Sequence, residues 1–170
     1  MGYLTENRRD DGLILDMTLR ENVTLACLSK VIGRPLGRLI RWKEDRVASD
    51  LIARLGIVAS GTEHKAENLS GGNQQKVALA KWLALGPDVY ILDEPTRGVD
   101  VGAKDEIHHI VLSLAEAGAS VILISSEMEE IMRMSDRILI MSRGEILREV
   151  SPQAVKQEDL MKYTAEAKYL

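Results

Sequence analysis

The chain has 170 residues, 45% of them hydrophobic, enough for one domain with a real core. Phe is absent and aromatics make up only 4%, so that core must be built from Leu, Ile, Val, Met and Ala. A net charge of −4 gives no basic footprint for nucleic acid, and the single Cys27 excludes an internal disulfide, which fits a reducing compartment. No apolar run approaches the roughly 20 residues that cross a bilayer. The opening Met1-Gly2-Tyr3-Leu4-Thr5-Glu6 turns charged at once, so no signal sequence is expected.

Residues 3–16 read as the end of a strand followed by a loop. Residues 17–68 look helical: Thr18-Leu19-Arg20-Glu21 has capping-box spacing, and Gly33 and Pro35 punctuate the chain beyond it. Val47, Leu51 and Leu55, with Ala48 and Ile52 beside them, mark one face of a helix that Gly56 can end. From Leu69 onward helix and strand alternate. A buried helix is expected over 74–85, a buried strand over 89–92, an amphipathic helix over 105–117 and a strand over 121–125. A helix over 127–134, strands over 137–141 and 145–150, and a last helix over 154–163 complete the chain. Short apolar strands between helices suggest βα units and a parallel sheet covered on both faces.

Two segments carry chemistry. In Leu69-Ser70-Gly71-Gly72-Asn73-Gln74-Gln75-Lys76, Ser70 is a preferred N-cap, and two glycines let a large anion approach the backbone of a helix start. Val89-Tyr90-Ile91-Leu92-Asp93-Glu94-Pro95 is an apolar strand ending in two carboxylates, with Pro95 stopping the ladder. Ligands of open α/β sheets bind at such strand ends. One acid suits Mg²⁺, and the other can orient or deprotonate a water. A phosphate loop of the form G-x-x-x-x-G-K-[ST] occurs nowhere in the 170 residues.

Together these segments resemble the ABC ATPase family: Leu69–Lys76 is similar to its signature motif, Val89–Glu94 to its Walker B strand, and Gly98-Val99-Asp100 to its D-loop. Tyr3-Leu4-Thr5-Glu6 and the stretch from Met17 to Val23 resemble the segment around and after the Q-loop. Asn73-Gln74-Gln75-Lys76 and the run from Thr96 to Lys104 resemble ATPases of bacterial sugar importers, which carry two ATPase halves in one chain. The resemblance implies an α/β fold: a partial P-loop-type ABC ATPase domain, with a mostly parallel sheet, flanking helices and a helical subdomain inserted over about 17–68. The signature helix and Walker B core would then occupy 69–150 and a C-terminal helix 151–170.

It also implies ATP and Mg²⁺ as ligands. Asp93 and Glu6 would lie at the metal, Glu94 would be the catalytic base, and Ser126 would stand where the family has a switch histidine. Ser70, Gly71, Gly72, Gln75 and Asp100 would bind the nucleotide held by an opposing ATPase domain. Ser126 is shorter than histidine and cannot become a cation. Glu6 replaces the usual glutamine and adds negative charge beside phosphates. The expected protein is therefore the second half of an importer ATPase beginning after its phosphate loop, cytoplasmic and peripheral to the inner face of the membrane. It would have no span of its own, no nucleic-acid partner, and a membrane permease docked on the helical subdomain.

Arg34, Arg38 and Arg41 look like one helical face that either is solvated or docks the permease, and Trp42 either lines that groove or fills the core. His108-His109 reads as a pair on a surface helix without metal-ligand spacing. Two other readings remain open. One is a truncated product that only binds or regulates partners. The other is a fragment of a DNA-maintenance ATPase, which the acidic charge and the lack of sustained heptads oppose.

Overall fold

A computed structural model describes residues 1–7, 11–33 and 37–169, with side chains through residue 165. The chain forms two compact units, residues 1–122 and 123–170.

In the first unit, β1 (Gly2–Leu4) runs parallel to β4 (Val89–Asp93), with Gly2 opposite Tyr90, Tyr3 opposite Ile91 and Leu4 opposite Leu92. β5 (Ser120–Ile124) extends the sheet in the order β1–β4–β5. The two-residue side-chain period puts Leu4, Tyr90 and Leu92 on the buried face and leaves Tyr3 exposed on the other. Helix α4 (Gly71–Leu85) lies against the buried face. A Cβ built on Gly2 would sit 3.1 Å from Pro87 and 3.2 Å from Trp82, so any larger residue here would make these side chains give by a few tenths of an ångström. The expectation of cover on both faces does not hold for β5, where Ile122 and Ile124 remain 51% and 46% exposed.

The stretch expected to be helical, with a break at Gly33 and Pro35, holds three α-helices and a ribbon: α1 (Leu19–Thr24), α2 (Leu28–Val31), β2 (Ile32–Gly33) antiparallel to β3 (Arg38–Leu39), and α3 (Arg41–Arg54). Gly37, at φ 63°, makes the turn that a continuous helix would exclude. The arginines consequently share no helical face: Arg38 is on a strand, Arg41 opens α3, and Arg34 lies outside the described residues. Trp42 is 63% exposed and is no part of the core. α3 buries Ala48 and Leu51 and stops at Gly56, φ 58°, as its spacing predicts.

The capping box at α1 is formed. The Thr18 hydroxyl accepts from the Glu21 backbone N–H at 3.2 Å, and the Thr18 backbone N–H donates to the Glu21 carboxylate at 2.9 Å. Hydrogen bonds from the Thr18 backbone and then its hydroxyl hold the Glu21 carboxyl below its ordinary range. A depressed carboxylate stabilises the fold above the ordinary glutamate pKa, and this stabilisation is lost as pH falls through the lowered value. Thr18→Ala should cost about 1 kcal/mol at neutral pH and flatten the acid limb of the stability profile; chemical denaturation at stepped pH measures both.

The second unit contains α6 (Met128–Met134), β6 (Ile138–Ser142), β7 (Glu145–Val150) and α7 (Gln157–Tyr169). β6 and β7 are an antiparallel ribbon, not further strands of a parallel sheet. Ser142 pairs with Glu145 across Arg143-Gly144, which have φ 49° and 86°; a two-residue loop with both φ positive returns the chain antiparallel. Ile138, Ile140 and Leu160 form the core of this unit, with Met128, Ile131, Met132 and Val150 packed against them.

Candidate functional site

Parallel pairing of β1 with β4 carries both strands toward the same end of the sheet, where Glu6 and the acids Asp93 and Glu94 lie. The Tyr3 hydroxyl donates to Asp93 Oδ2 at 3.0 Å, a diagonal contact that the Tyr3–Ile91 register allows. Hydrogen bonding to Asp93, and then its charge, push the Tyr3 phenol above its ordinary range, so it remains a donor at neutral pH. Arg97, in the turn after β4, forms an ion pair with Glu6. Glu94 sits in the left-handed backbone region at φ 49°, unusual for a residue with a side chain. Such strain persists only where the surroundings hold it, and here it sets the direction of an acidic side chain at a strand end.

A second group forms where α4 and α5 (Val101–Glu116) begin. Ser70 caps α4: its Oγ accepts from the Asn73 backbone at 3.4 Å and from Asn73 Nδ2 at 3.0 Å. With N–H donors directed at the oxygen, the Ser70 O–H can donate outward to an anion. Asn73 Oδ1 in turn accepts from the Val58 backbone N–H at 2.9 Å, fastening the loop after α3 to this helix start. Asp100 caps α5, accepting from the Ala103 N–H at 2.9 Å, so this helix starts earlier than its periodicity indicates. A Cβ at Gly72 would lie 2.8 Å from Ala103 Cβ and 3.7 Å from Asp100 Oδ2. Gly72 thus brings the start of α4 and the start of α5 together. Deeper in α4, buried Lys76 donates to the Gly56 carbonyl at 3.1 Å and pairs with Glu106, tying the end of α3 and the side of α5 to the same helix.

The remaining residues fall elsewhere. Gln75 is 1% exposed, and its Oε1 has no hydrogen-bond partner among the described residues. Every residue from 74 to 80 of α4 is buried, so this part of the helix is enclosed on all sides. Ser126 follows β5 in the second unit, next to Ser125, whose Oγ accepts from the Glu127 N–H at 3.0 Å. His108 is buried rather than at the surface, and among the described residues no three His, Cys, Asp or Glu side chains gather as a metal site. Sequence reasoning does not find Tyr3, Arg97 or the φ of Glu94. Alternation along β1 is the only signal that points to Tyr3, and nothing short-range points to Arg97.

A sequence model of the family described as ABC transporter matches residues 1–97. The chain is 48% identical over 161 residues to the ribose import ATP-binding protein RbsA of Bacillus subtilis, and 44% identical to that of Shigella dysenteriae. Each comparison covers 95% of the chain, which spans only 32% and 31% of those proteins. Among solved structures, the chain superposes on the dimeric ATP-binding cassette MJ0796, bound to ADP and Pi in a post-hydrolysis state, with a TM-score of 0.71. That alignment has 26% identity and covers 89% of this chain and 63% of the cassette. The chain belongs to the ABC transporter family, and its fold is that of an ABC ATPase. Both RbsA relatives are named as ribose import ATP-binding proteins, and the cassette that shares the fold is described as dimeric.

Proposed function

We propose that this chain is the second nucleotide-binding domain of an importer ATPase, taking a sugar or related small solute into the cell, with its phosphate loop supplied by preceding sequence. The observation that carries this reading is one unit holding two half-sites. One is an acid pair at the end of a parallel strand; the other is a serine-capped helix start that close packing joins to Asp100.

The reaction is hydrolysis of ATP to ADP and phosphate by in-line attack of water on the γ-phosphorus. Glu94 takes the water's proton as the new P–O bond forms and the bond to the ADP oxygen breaks. Ser70, with the amides of Gly71 and Gly72, donates to the γ-phosphate of a nucleotide held by an opposing ATPase domain. Asp93 and Glu6 are hard oxygen donors, and one or two carboxylates are what Mg²⁺ takes from protein when phosphates and water complete its shell. Mg²⁺ in that position neutralises charge on the β- and γ-phosphates. Tyr3 fixes the Asp93 carboxylate through one of its oxygens. Ser126 would stand at the place of a switch residue and, being neutral, would serve its own side's nucleotide weakly.

Residues 17–68 would form the subdomain that meets a membrane permease at the inner face of the membrane. Leu28, Leu39 and Trp42, 37%, 52% and 63% exposed, support a docking surface there. The test is in the intact gene product. Ser70→Ala should lower turnover by about 10²-fold, the scale of losing one donor to a transition-state oxyanion, while Glu94→Gln should lower it less. Turnover abolished by Glu94→Gln and untouched by Ser70→Ala would show that this chain does not work chiefly through its signature segment.

A further inference from the structure

Three carboxylates, Glu6, Asp93 and Glu94, come to the strand ends where the proposed reading puts an anionic nucleotide. Asp93 is partnered by the Tyr3 hydroxyl, which shares its charge but does not cancel it. Glu6 is different, because Arg97 forms an ion pair with it from the turn that follows β4. The two side chains are 49% and 63% exposed, so the pair adds little to stability. Its effect is on the local field.

We propose that Arg97 is a positioning residue for nucleotide binding: it cancels the charge of Glu6 and holds it at the end of β1. An acidic side chain can then stand beside phosphates without repelling them. The inference rests on the ATPase reading and adds to it a residue that no motif match assigns. The physical argument is Coulombic. A lone carboxylate several ångströms from a diphosphate raises the free energy of binding, and a guanidinium in contact with that carboxylate turns a monopole into a short dipole whose field falls off faster. Arg97 suits this task because a guanidinium stays charged at any working pH and engages a carboxylate with fixed geometry. The same pairing joins the segment after β1 to the turn after β4.

The test uses the intact gene product and Mg²⁺-free ADP in the presence of a chelator, so loss of a metal ligand does not enter. Binding is read by calorimetry. Arg97→Ala should weaken one class of ADP sites by about three- to tenfold. Arg97→Ala combined with Glu6→Gln should recover most of the ADP affinity that Arg97→Ala alone loses. Thermal midpoints should stay unchanged across the set, which separates this role from a structural one. Equal loss from Arg97→Ala in both backgrounds, or no loss in either, overturns the inference. A parent protein that binds no ADP overturns the ATPase reading and the inference with it.

Discussion

Gly72→Val should destabilise the protein by about 2 kcal/mol and impair nucleotide-dependent function, even though the glycine has no side chain with which to touch a ligand. A Cβ at position 72 would stand 2.8 Å from Ala103 Cβ, and real Cβ atoms do not approach that closely. Either α4 or α5 must shift, and each carries a cap on which the site depends, Ser70 on α4 and Asp100 on α5. The decisive measurement is a double-mutant cycle with Gly72→Ala and Ala103→Gly. Each single change should be destabilising, the second by roughly 1 kcal/mol from helix propensity alone. Combined, they should recover part of the loss, because Ala103→Gly vacates the space that the new methyl needs. Strict additivity in chemical denaturation would show that the helices do not meet at this point.

Arg20→Met should be the most damaging change away from the site, at about 3 kcal/mol or more. Arg20 connects three parts of the first unit. Its Nη1 donates to Glu44 on α3 at 3.2 Å, its Nε donates to Glu63 at 2.9 Å, and its backbone N–H donates to the Thr62 carbonyl at 3.0 Å. Glu44 is 4% exposed, and its other oxygen accepts from the Thr24 hydroxyl at 3.2 Å. Removal of the guanidinium leaves a buried carboxylate with one hydroxyl donor in place of a cation, which is the costly half of breaking a buried pair. Replacing both partners by apolar groups of similar size should recover most of the loss, so Arg20→Met with Glu44→Met is the control. The single Thr24 hydroxyl proton is divided between Glu44 at 3.2 Å and the Arg20 carbonyl at 2.8 Å, so it satisfies the carboxylate only in part. A single variant as stable as the parent would mean that the network contributes no net stability.

Much of this molecule is legible because its signals act over short distances. The capping box at Thr18, the stop of α3 at Gly56 and the cap of α4 at Ser70 each depend on side chains within a few residues of the backbone they satisfy. The order of the signature segment and the acidic strand is also a property of the chain, and it is sufficient to indicate the family that the comparisons show. Expectation and structure part where a local rule meets a competing one. The ribbon at residues 32–39 escapes a sequence reading because two short strands leave too little alternation to separate them from a broken helix. The antiparallel return at 138–150 escapes it when apolar content is weighed before the Arg143-Gly144 turn. The burial of His108 depends on which face of α5 meets the rest of the unit, and that of Gln75 on the enclosure of α4 on all sides.

The sequence by itself determined the caps at Thr18 and Ser70 and the stop at Gly56, the strand bearing Asp93 and Glu94, and the class of chemistry those residue types suit. Only the tertiary structure decided which charges meet. Tyr3 reaches Asp93 across 90 residues of chain, and Arg97 reaches Glu6, because the parallel register of β1 with β4 brings their ends together. Register is set by burying one face of a sheet, a property of the packed molecule that no window of sequence contains. Gly72 has the same lesson: its two hydrogens read locally as room for a ligand, whereas the packed helices use that room for Ala103.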